Sequence, residues 1–176
     1  MSRLMRAAPW LLATLAVAAA VHAASLMLVP HIIMNRTMGA IAHRAGVNTM
    51  AHAPRPTAAA RGIVRPSPDL LYSTCVFDVS ASPLRVHASG MPKTYWSVSL
   101  FDSETNNFYV INDRQAKNGG VDFIIVGPHQ DKQPFGTVVR SPSERGLVLF
   151  RTLIDDDKHL AEIDAARRHA ACEPFK

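Results

Sequence analysis

An apolar stretch near the N-terminus constrains this chain more than any other feature. The 23 residues from Ala7 to Val29 carry no formal charge, and His22 is their one titratable side chain. About 20 consecutive apolar residues are enough for a helix to cross the hydrocarbon core of a bilayer. The stretch therefore predicts a transmembrane helix, and we assign residues 1–33 to an N-terminal anchor whose partner is a lipid bilayer.

The same stretch has an alternative interpretation as a cleaved signal peptide. Arg3 and Arg6 form a basic N-terminal region, and Val21-His22-Ala23 resembles a small-residue cleavage site. Apolar sequence continues beyond that site to Ile33, so cleavage would leave a hydrophobic segment at a free N-terminus. This continuation favours a retained anchor over a removed signal.

Charge is distributed unevenly along the chain, whose formal net charge is +5. Seven arginines and no acidic residue precede Asp69, whereas 12 Lys and Arg and 14 Asp and Glu are found from Asp69 onward. A nucleic-acid-binding domain is expected to have a basic face of its own, so the pattern predicts no nucleic-acid partner. Arginines beside an apolar helix more often meet anionic lipid headgroups.

Basic residues on either side of the apolar stretch predict its orientation. Arg3, Arg6 and the α-amino group precede the stretch, and Arg36 and Arg44 follow it closely. Positive charge is retained on the cytoplasmic side of a membrane. The excess of one positive charge before the stretch therefore favours a domain on the outer side.

Residues 34–65 are predicted to form a basic juxtamembrane linker. Met34, Met38, Ile41 and Ala45 recur at helical spacing, which is typical either of a short amphipathic continuation of the helix or of a frayed helix end. The segment from Ala53 to Gly62 has no periodicity and contains two prolines, so we expect an extended tether there.

Residues 66–176 are predicted to form one mainly β domain. Apolar residues alternate with polar ones at a period of two, and Trp96, Val98 and Leu100 are expected to face the core. The spacing favours an antiparallel β-sandwich or a flattened barrel of about seven strands. One C-terminal helix follows, with Asp155, Asp156 and Asp157 at its start. The predicted strands are Leu71–Val79, Leu84–Ala88, Thr94–Asp102, Asn107–Asn112, Val121–Val126, Thr137–Arg140 and Gly146–Thr152.

The chain has two cysteines, Cys75 and Cys172, which are candidates for one disulfide. Such a bond would enclose nearly the whole domain and would require an oxidising compartment. Two inert thiols are the alternative. A catalytic cysteine would need a nearby histidine, and the sequence places none near Cys75. Two cysteines this far apart are too few for a zinc framework.

The sequence contains no established catalytic or nucleotide-binding motif, and we predict neither a metal nor a cofactor. Polar residues at predicted strand ends, together with an arginine on an otherwise apolar strand, are the candidate ligand or partner contacts. Structural ion pairs and turn capping are the alternative roles for the same residues. The candidates are Tyr95, Asp102, Asn106, Asn112, Arg114 and Arg151.

Four blocks of sequence resemble, in this order, the DUF1254 family of unknown function. They are RPSPDLLYSTCVFDVS, TYWSVSLFDSETNNFYVIND, IIVGP and SPSERGLVLFRTLIDDD, and the resemblance extends from about Val64 to Cys172. It implies a β-rich, largely bacterial protein that is exported or membrane-anchored, with no reaction to carry over. It also implies a partner, because longer relatives join this domain to a DUF1214 domain, which a separate subunit would supply here.

Three functional hypotheses follow. The first is a non-enzymatic module of the bacterial inner membrane that faces the periplasm and binds a DUF1214-like protein. The second is a cell-envelope enzyme, a hydrolase or carbohydrate-active protein, with Asp102, Arg114 and Tyr95 in one cleft. The third is a small-ligand or lipid-binding β module with a continuous apolar cavity between its sheets.

Overall fold

The structure is a computed structural model that describes residues 3–62, 65–116, 119–130 and 135–175. It contains two helices and nine strands, with a short 3₁₀ turn at Asp157–His159. The helices are α1 (Arg3–Ala45) and α2 (Leu160–Arg167). The strands are β1 (Met50–His52), β2 (Leu70–Asp78), β3 (Leu84–Ala88), β4 (Trp96–Phe101), β5 (Asn107–Asn112), β6 (Val121–Val126), β7 (Val138–Arg140), β8 (Arg145–Leu153) and β9 (Ala171–Pro174).

The strands form two sheets. The five-stranded sheet has the order β1-β2-β8-β4-β5, and the four-stranded sheet has the order β7-β6-β3-β9. All neighbours are antiparallel except β6 and β7, which are parallel. The prediction of a mostly-sheet fold with one C-terminal helix is confirmed, and the flattened-barrel alternative is wrong, because the two sheets keep separate edges throughout the described ranges.

All seven predicted strands are present, and two further strands were not predicted. β1 lies in the segment assigned to the linker and pairs Met50 with Cys75 and His52 with Ser73. β9 follows α2 directly and pairs Cys172 with Val86. Both are short edge strands, so their sequences are too short for a period of two to be visible.

The two sheets share one hydrophobic core. Trp96, Val98 and Leu100 of β4 are buried in it, as predicted. Phe123 of β6 and Phe150 of β8 enter the same core from the two opposing sheets, so the sheets pack face to face. The structure joins Cys75 of β2 to Cys172 of β9, with a Cα–Cα distance of 6.7 Å, and this bond links the two sheets through the core.

Helix α1 has two different halves. Residues 7–29 lie on the surface, and an 18-residue window of the helix has a mean hydropathy of 2.1 and no buried residue. By length and composition this helix could cross a membrane or serve as a signal sequence. Farther along the helix, Met34 and Met38 are buried against Val76 and Leu147 of the five-stranded sheet.

The predicted linker therefore differs from the structure in two places. Helix α1 is continuous through Ala45, so its methionines form the amphipathic continuation and the frayed-end alternative does not hold. The three residues of β1 then extend the five-stranded sheet. Helical spacing indicated the first feature as one of two alternatives, whereas β1 depends on a strand edge of β2 that becomes available only on folding. Residues 53–57 form neither helix nor strand, and Arg55 lies 2.7 Å from Asp157.

The C-terminal helix is fixed to the sheet by apolar and polar contacts. Asp156 caps the 3₁₀ turn by accepting a hydrogen bond from the backbone N–H of Lys158 at 2.9 Å. Ile163 of α2 packs on Leu71 and Ile154. The prediction that the aspartates begin the helix holds for the 3₁₀ turn that precedes α2.

Candidate functional site

The outer face of the five-stranded sheet carries polar side chains in one line across four strands. Side chains alternate between the two faces of a strand, so the core-facing positions of β2 leave Tyr72 on the outer face. The strand register pairs Tyr72 with Arg151, Arg151 with Ser97, and Ser97 with Asn112. We call these four residues the Arg151 row.

Helix α1 covers only one end of this outer face. It packs over Val76 and Leu147, and Arg151 lies four residues farther along β8, about 13 Å away at the usual rise per residue. Beside the Arg151 row, Tyr95 is 43% exposed and Val110 is 49% exposed. The surface beside the row is therefore exposed beyond the reach of the helix, whereas Ser97 within the row is buried.

Arg151 is positioned by a serine. Its Nη2 donates a hydrogen bond to Ser99 Oγ at 3.0 Å, and Ser99 is fully buried. The Arg151 Nε and the Ser97 Oγ are buried without a hydrogen-bond partner among the described residues. The structural ion pair expected for Arg151 is not formed with any carboxylate in the part of the chain that the structure describes. The guanidinium thus has donors that neutral serines do not fully use.

Two other strand arginines are paired with carboxylates. Arg85 on β3 makes two hydrogen bonds to Asp122, at 2.9 and 2.6 Å. Arg145, on the same strand as Arg151, lies 3.5 Å from Asp78. Arg151 differs from both because its one hydrogen bond in the described structure goes to a neutral hydroxyl.

Two of the predicted site residues cap the turn between β4 and β5. The Asp102 carboxylate accepts hydrogen bonds from the backbone N–H of Glu104 at 2.8 Å and of Asn106 at 2.9 Å, and from the Asn106 side-chain amide at 3.0 Å. Asp102 is only 5% exposed. These contacts give Asp102 and Asn106 a structural role in the turn.

Two more predicted site residues lie at the other end of that hairpin. The Asn112 Oδ1 accepts hydrogen bonds from the backbone N–H of Arg114 at 3.1 Å and of Gln115 at 3.2 Å. Arg114 is exposed. Tyr95 lies at this end as well, where its carbonyl accepts a hydrogen bond from the Leu153 N–H at 2.8 Å.

The structure therefore divides the predicted residues into two groups. Tyr95, Asn112 and Arg151 lie on or beside the Arg151 row, whereas Asp102 and Asn106 lie beyond the far end of β4. The length of that six-residue strand, roughly 20 Å, separates Asp102 from Tyr95. The cleft expected to contain Asp102, Arg114 and Tyr95 is not formed.

Sequence reasoning did not place Tyr72, Ser97 and Ser99 around Arg151. The two serines were interpreted as outward positions of an ordinary strand, and Tyr72 as a residue that packs in the core or lines the candidate region. Only the register reveals that all three surround Arg151. The available signal was the pair of serines at successive outward positions of β4. A serine that points away from the core and is still fully buried must be covered by a neighbouring side chain.

A buried arginine was also missed. Arg167 of α2 is 1% exposed and donates to the Tyr72 carbonyl at 2.8 Å, the Ser73 Oγ at 3.0 Å, the Ala53 carbonyl at 2.6 Å and the Asp164 carboxylate at 2.7 Å. These hydrogen bonds attach α2 to β1 and β2.

The same junction contains a histidine. His52 Nδ1 lies 2.9 Å from Ser73 Oγ. Burial lowers the pKa of His52, and the nearby Arg167 and Arg168 guanidinium groups lower this pKa further. Ser73 is fully buried, so this pair holds β1 in place and is not accessible to a substrate.

Two open grooves lie elsewhere on the molecule. The larger, of about 560 Å³, lies between β5 and β6, and is lined by Tyr109, Phe123, Asp122 and neighbouring residues. The smaller, of about 470 Å³, lies beside α2. Neither contains a predicted site residue, and the space between the sheets is filled by the shared core. No three His, Cys, Asp or Glu side chains converge on a metal position within the described ranges.

A family model described as "Protein of unknown function (DUF1254)" matches residues 47–174. This chain belongs to the DUF1254 family. The match begins before the resemblance noticed in the sequence, and it includes β1, which is consistent with β1 being an integral strand of the DUF1254 domain. No curated protein matches the chain.

Two solved structures share the DUF1254 fold at low sequence identity. The VPA0106 protein from Vibrio parahaemolyticus has a TM-score of 0.62 and 17% identity over 86% of this chain. An uncharacterised protein from Burkholderia cenocepacia has a TM-score of 0.51 and 16% identity over 76% of this chain. The chain spans 37% of the length of each of these proteins.

Proposed function

We propose that this DUF1254 protein is a single-pass protein of a bacterial inner membrane whose β domain lies in the periplasm and binds a second protein. The partner in this proposal is a DUF1214-like subunit. The role is that of a tethered binding module, and no reaction is assigned to it.

The exposure of residues 7–29 carries this proposal. An apolar helix surface of this length is unfavourable in water, because each fully exposed Leu or Val side chain forgoes about 1.5–3 kcal/mol of burial. A bilayer removes that surface from water. The large exposed side chains of the segment are Trp10, Leu11, Leu12, Leu15, Val17, Val21, Leu26, Met27, Leu28 and Val29.

The way in which α1 meets the β domain supports a fixed attachment. The helix continues without a break from the apolar segment to Met34 and Met38, which are 4% and 1% exposed against the sheet. A helix held in this way would keep the domain close to the bilayer.

The placement outside the cytoplasm rests on charge and on the cysteines. The basic residues before the apolar stretch exceed those after it by one charge when the α-amino group is counted. A bond between Cys75 and Cys172 persists in an oxidising compartment such as the periplasm.

The proposal of a second protein is supported by the exposed part of the outer face of the five-stranded sheet. The outer face around the Arg151 row is covered by α1 at one end only.

Membrane attachment is tested by alkaline carbonate extraction of cell membranes that contain the full chain. We expect the chain to remain in the membrane pellet. The double variant Leu12→Arg, Leu15→Arg should be released, because a charge at the centre of a membrane helix costs about 2.5–3.5 kcal/mol per residue. The matched control is Met38→Ala, which alters only the contact with the sheet. Release of the unaltered chain would contradict the proposal.

The side of the membrane and the partner are tested separately. If the domain is periplasmic, alkaline phosphatase fused after Lys176 should be active and green fluorescent protein fused there should not fluoresce. The reverse pattern would contradict that placement.

The partner is tested by co-expression with a DUF1214-like protein from the same genome. The two proteins should co-elute at a fixed ratio from detergent-solubilised membranes. Elution of the two proteins apart, with an unrelated single-pass protein as control, would contradict the partner.

A further inference from the structure

The Arg151 row has the properties of a site for an anion. It contains a guanidinium fixed on a rigid sheet, and its neighbour Ser97 is 1% exposed with an unpartnered Oγ. Buried polar groups without partners are uncommon in folded proteins, and each one requires an explanation. A ligand that accepts hydrogen bonds would provide one.

We propose that Arg151 binds a carboxylate group on the outer face of the five-stranded sheet. The inference does not depend on membrane attachment or on a DUF1214-like partner. A free carboxylic acid and an acidic side chain of another protein present the same group.

The fixed orientation of the guanidinium supports this assignment. Ser99 accepts a hydrogen bond from Nη2 at 3.0 Å, and Ser97 lies directly across from Arg151 in the register. Ser99 therefore holds one side of the guanidinium against the sheet. Nη1 makes no hydrogen bond within the described residues and is not buried, so donors of the remaining edge reach the surface.

The charge of the site favours an anion, and its shape favours a planar one. A guanidinium matches a carboxylate through two parallel hydrogen bonds, which are stronger than bonds between neutral groups. The fold supplies such a carboxylate to Arg85 and to Arg145 but, among the described residues, not to Arg151. Tyr72 and Asn112 lie at the two ends of the row, where a hydroxyl and an amide can contact the remainder of the ligand.

The test is a titration of the full chain in detergent micelles with ¹⁵N-labelled arginine, followed through the Nε–H signals by NMR. Sodium acetate, a capped Gly-Glu-Gly peptide and inorganic phosphate are compared with sodium chloride at equal ionic strength. Arg151 is identified by the signal that disappears in Arg151→Lys. Arg145, on the same strand and already paired with Asp78, is the internal control.

We expect a saturable shift of the Arg151 signal with acetate and with the peptide, and no saturable shift of Arg145. Tighter binding of the peptide than of acetate would indicate an acidic protein side chain as the source of the carboxylate. Equal or tighter binding of acetate would indicate a free acid as that source. Ser99→Ala should weaken carboxylate binding about fivefold, because one orienting hydrogen bond is lost.

Three results would overturn the proposal. The first is a shift of Arg151 that does not saturate and is shared by Arg145. The second is tighter binding of phosphate than of acetate, which would contradict a site shaped for a planar group. The third is unchanged acetate affinity in Ser99→Ala, which would remove the positioning role of that serine. If Arg151→Lys fails to fold, the Arg151 signal is assigned instead by the shift that Ser99→Ala causes in the free protein, because Ser99 is the hydrogen-bond partner of Arg151.

Discussion

At the residue scale, a few buried polar side chains determine how the separate parts of the DUF1254 domain meet. Arg167 joins α2 to β1 and β2 through the Tyr72 and Ala53 carbonyls and the buried Ser73 hydroxyl. Arg168, the next residue, contacts the same Asp164 from the surface at 2.9 Å. The two neighbouring arginines share a carboxylate but differ completely in burial, so they make a matched pair for mutation.

Replacing Arg167 with methionine should destabilise the domain by about 2–4 kcal/mol, because the buried Ser73 hydroxyl and the Tyr72 and Ala53 carbonyls each lose a donor. Arg168→Met should cost about 1 kcal/mol or less, as expected of an exposed ion pair. Thermal unfolding followed by the fluorescence of the buried Trp96 measures both variants. Equal losses in the two variants would contradict the structural role of Arg167.

The pH dependence of stability should reveal His52. Its folded-state pKa lies below 6.5, so the unfolded chain binds the proton first as the pH falls through 6.5, and stability decreases from there down to the folded-state pKa. The exposed His159 has a raised pKa beside Asp155, and its contribution has the opposite sign: it is present below pH 6.5 and lost as the pH rises through the folded-state pKa.

Unfolding measured between pH 5 and pH 8 distinguishes the two histidines. His52→Gln should flatten the loss of stability below pH 6.5, and His159→Gln should abolish the gain of stability that occurs as the pH falls towards 6.5 from above. A loss that is unchanged in His52→Gln would assign the pH dependence to another group.

At the element scale, the strands were predictable and their register was not. The alternation around Trp96, Val98 and Leu100 marks a half-buried strand in any fold of this class, which explains why the seven longer strands could be read from the sequence. The neighbours of Arg151 depend on which strands lie beside β8 and in what register. Nothing local to Arg151 encodes that information, so Tyr72, Ser97 and Ser99 could not be predicted.

The turns show the same division. Asp102 and Asn112 occur in short polar segments between strands, and turn capping was one of the roles expected for them. Packing of α1 on β2 was not predictable beyond its periodicity, because Met34 and Met38 would also fit a helix that contacts only solvent or lipid.

Close approach between β8 and its neighbours gives an element-scale prediction. A Cβ on Gly146 would lie 2.2 Å from the Phe101 carbonyl oxygen and 2.4 Å from the Phe77 ring. Gly146→Ala should therefore destabilise the five-stranded sheet by about 3 kcal/mol. Gly39→Ala on α1 is the control, because nothing lies within 4 Å of its Cβ position and alanine favours a helix. A neutral Gly146→Ala would contradict the packing of β4 against β8.

At the scale of the whole molecule, one covalent bond and one helix determine the behaviour of the chain. Cys75 and Cys172 are separated by 97 residues, so a bond between them restricts nearly the whole domain in the unfolded state. Helix α1 extends beyond the domain with an apolar surface that the domain does not cover.

Removing the bond should destabilise the domain by about 4–5 kcal/mol, the value expected for closing a loop of this length. The variant Cys75→Ser, Cys172→Ser measures this loss against the unaltered chain by chemical denaturation. The purified unaltered chain should contain no thiol that reacts with Ellman's reagent after unfolding. Two reactive thiols per chain would contradict the bond and would weaken the assignment to an oxidising compartment.

The central claim is that the apolar half of α1 stays on the mature protein and lies in the bilayer. Intact mass spectrometry of the protein purified from the membrane fraction tests it most directly. The account predicts that residues 7–29 are present in that protein and that it is absent from the aqueous extract. A polypeptide that begins at Ala24 or Ser25 and is recovered from the aqueous extract would contradict the account.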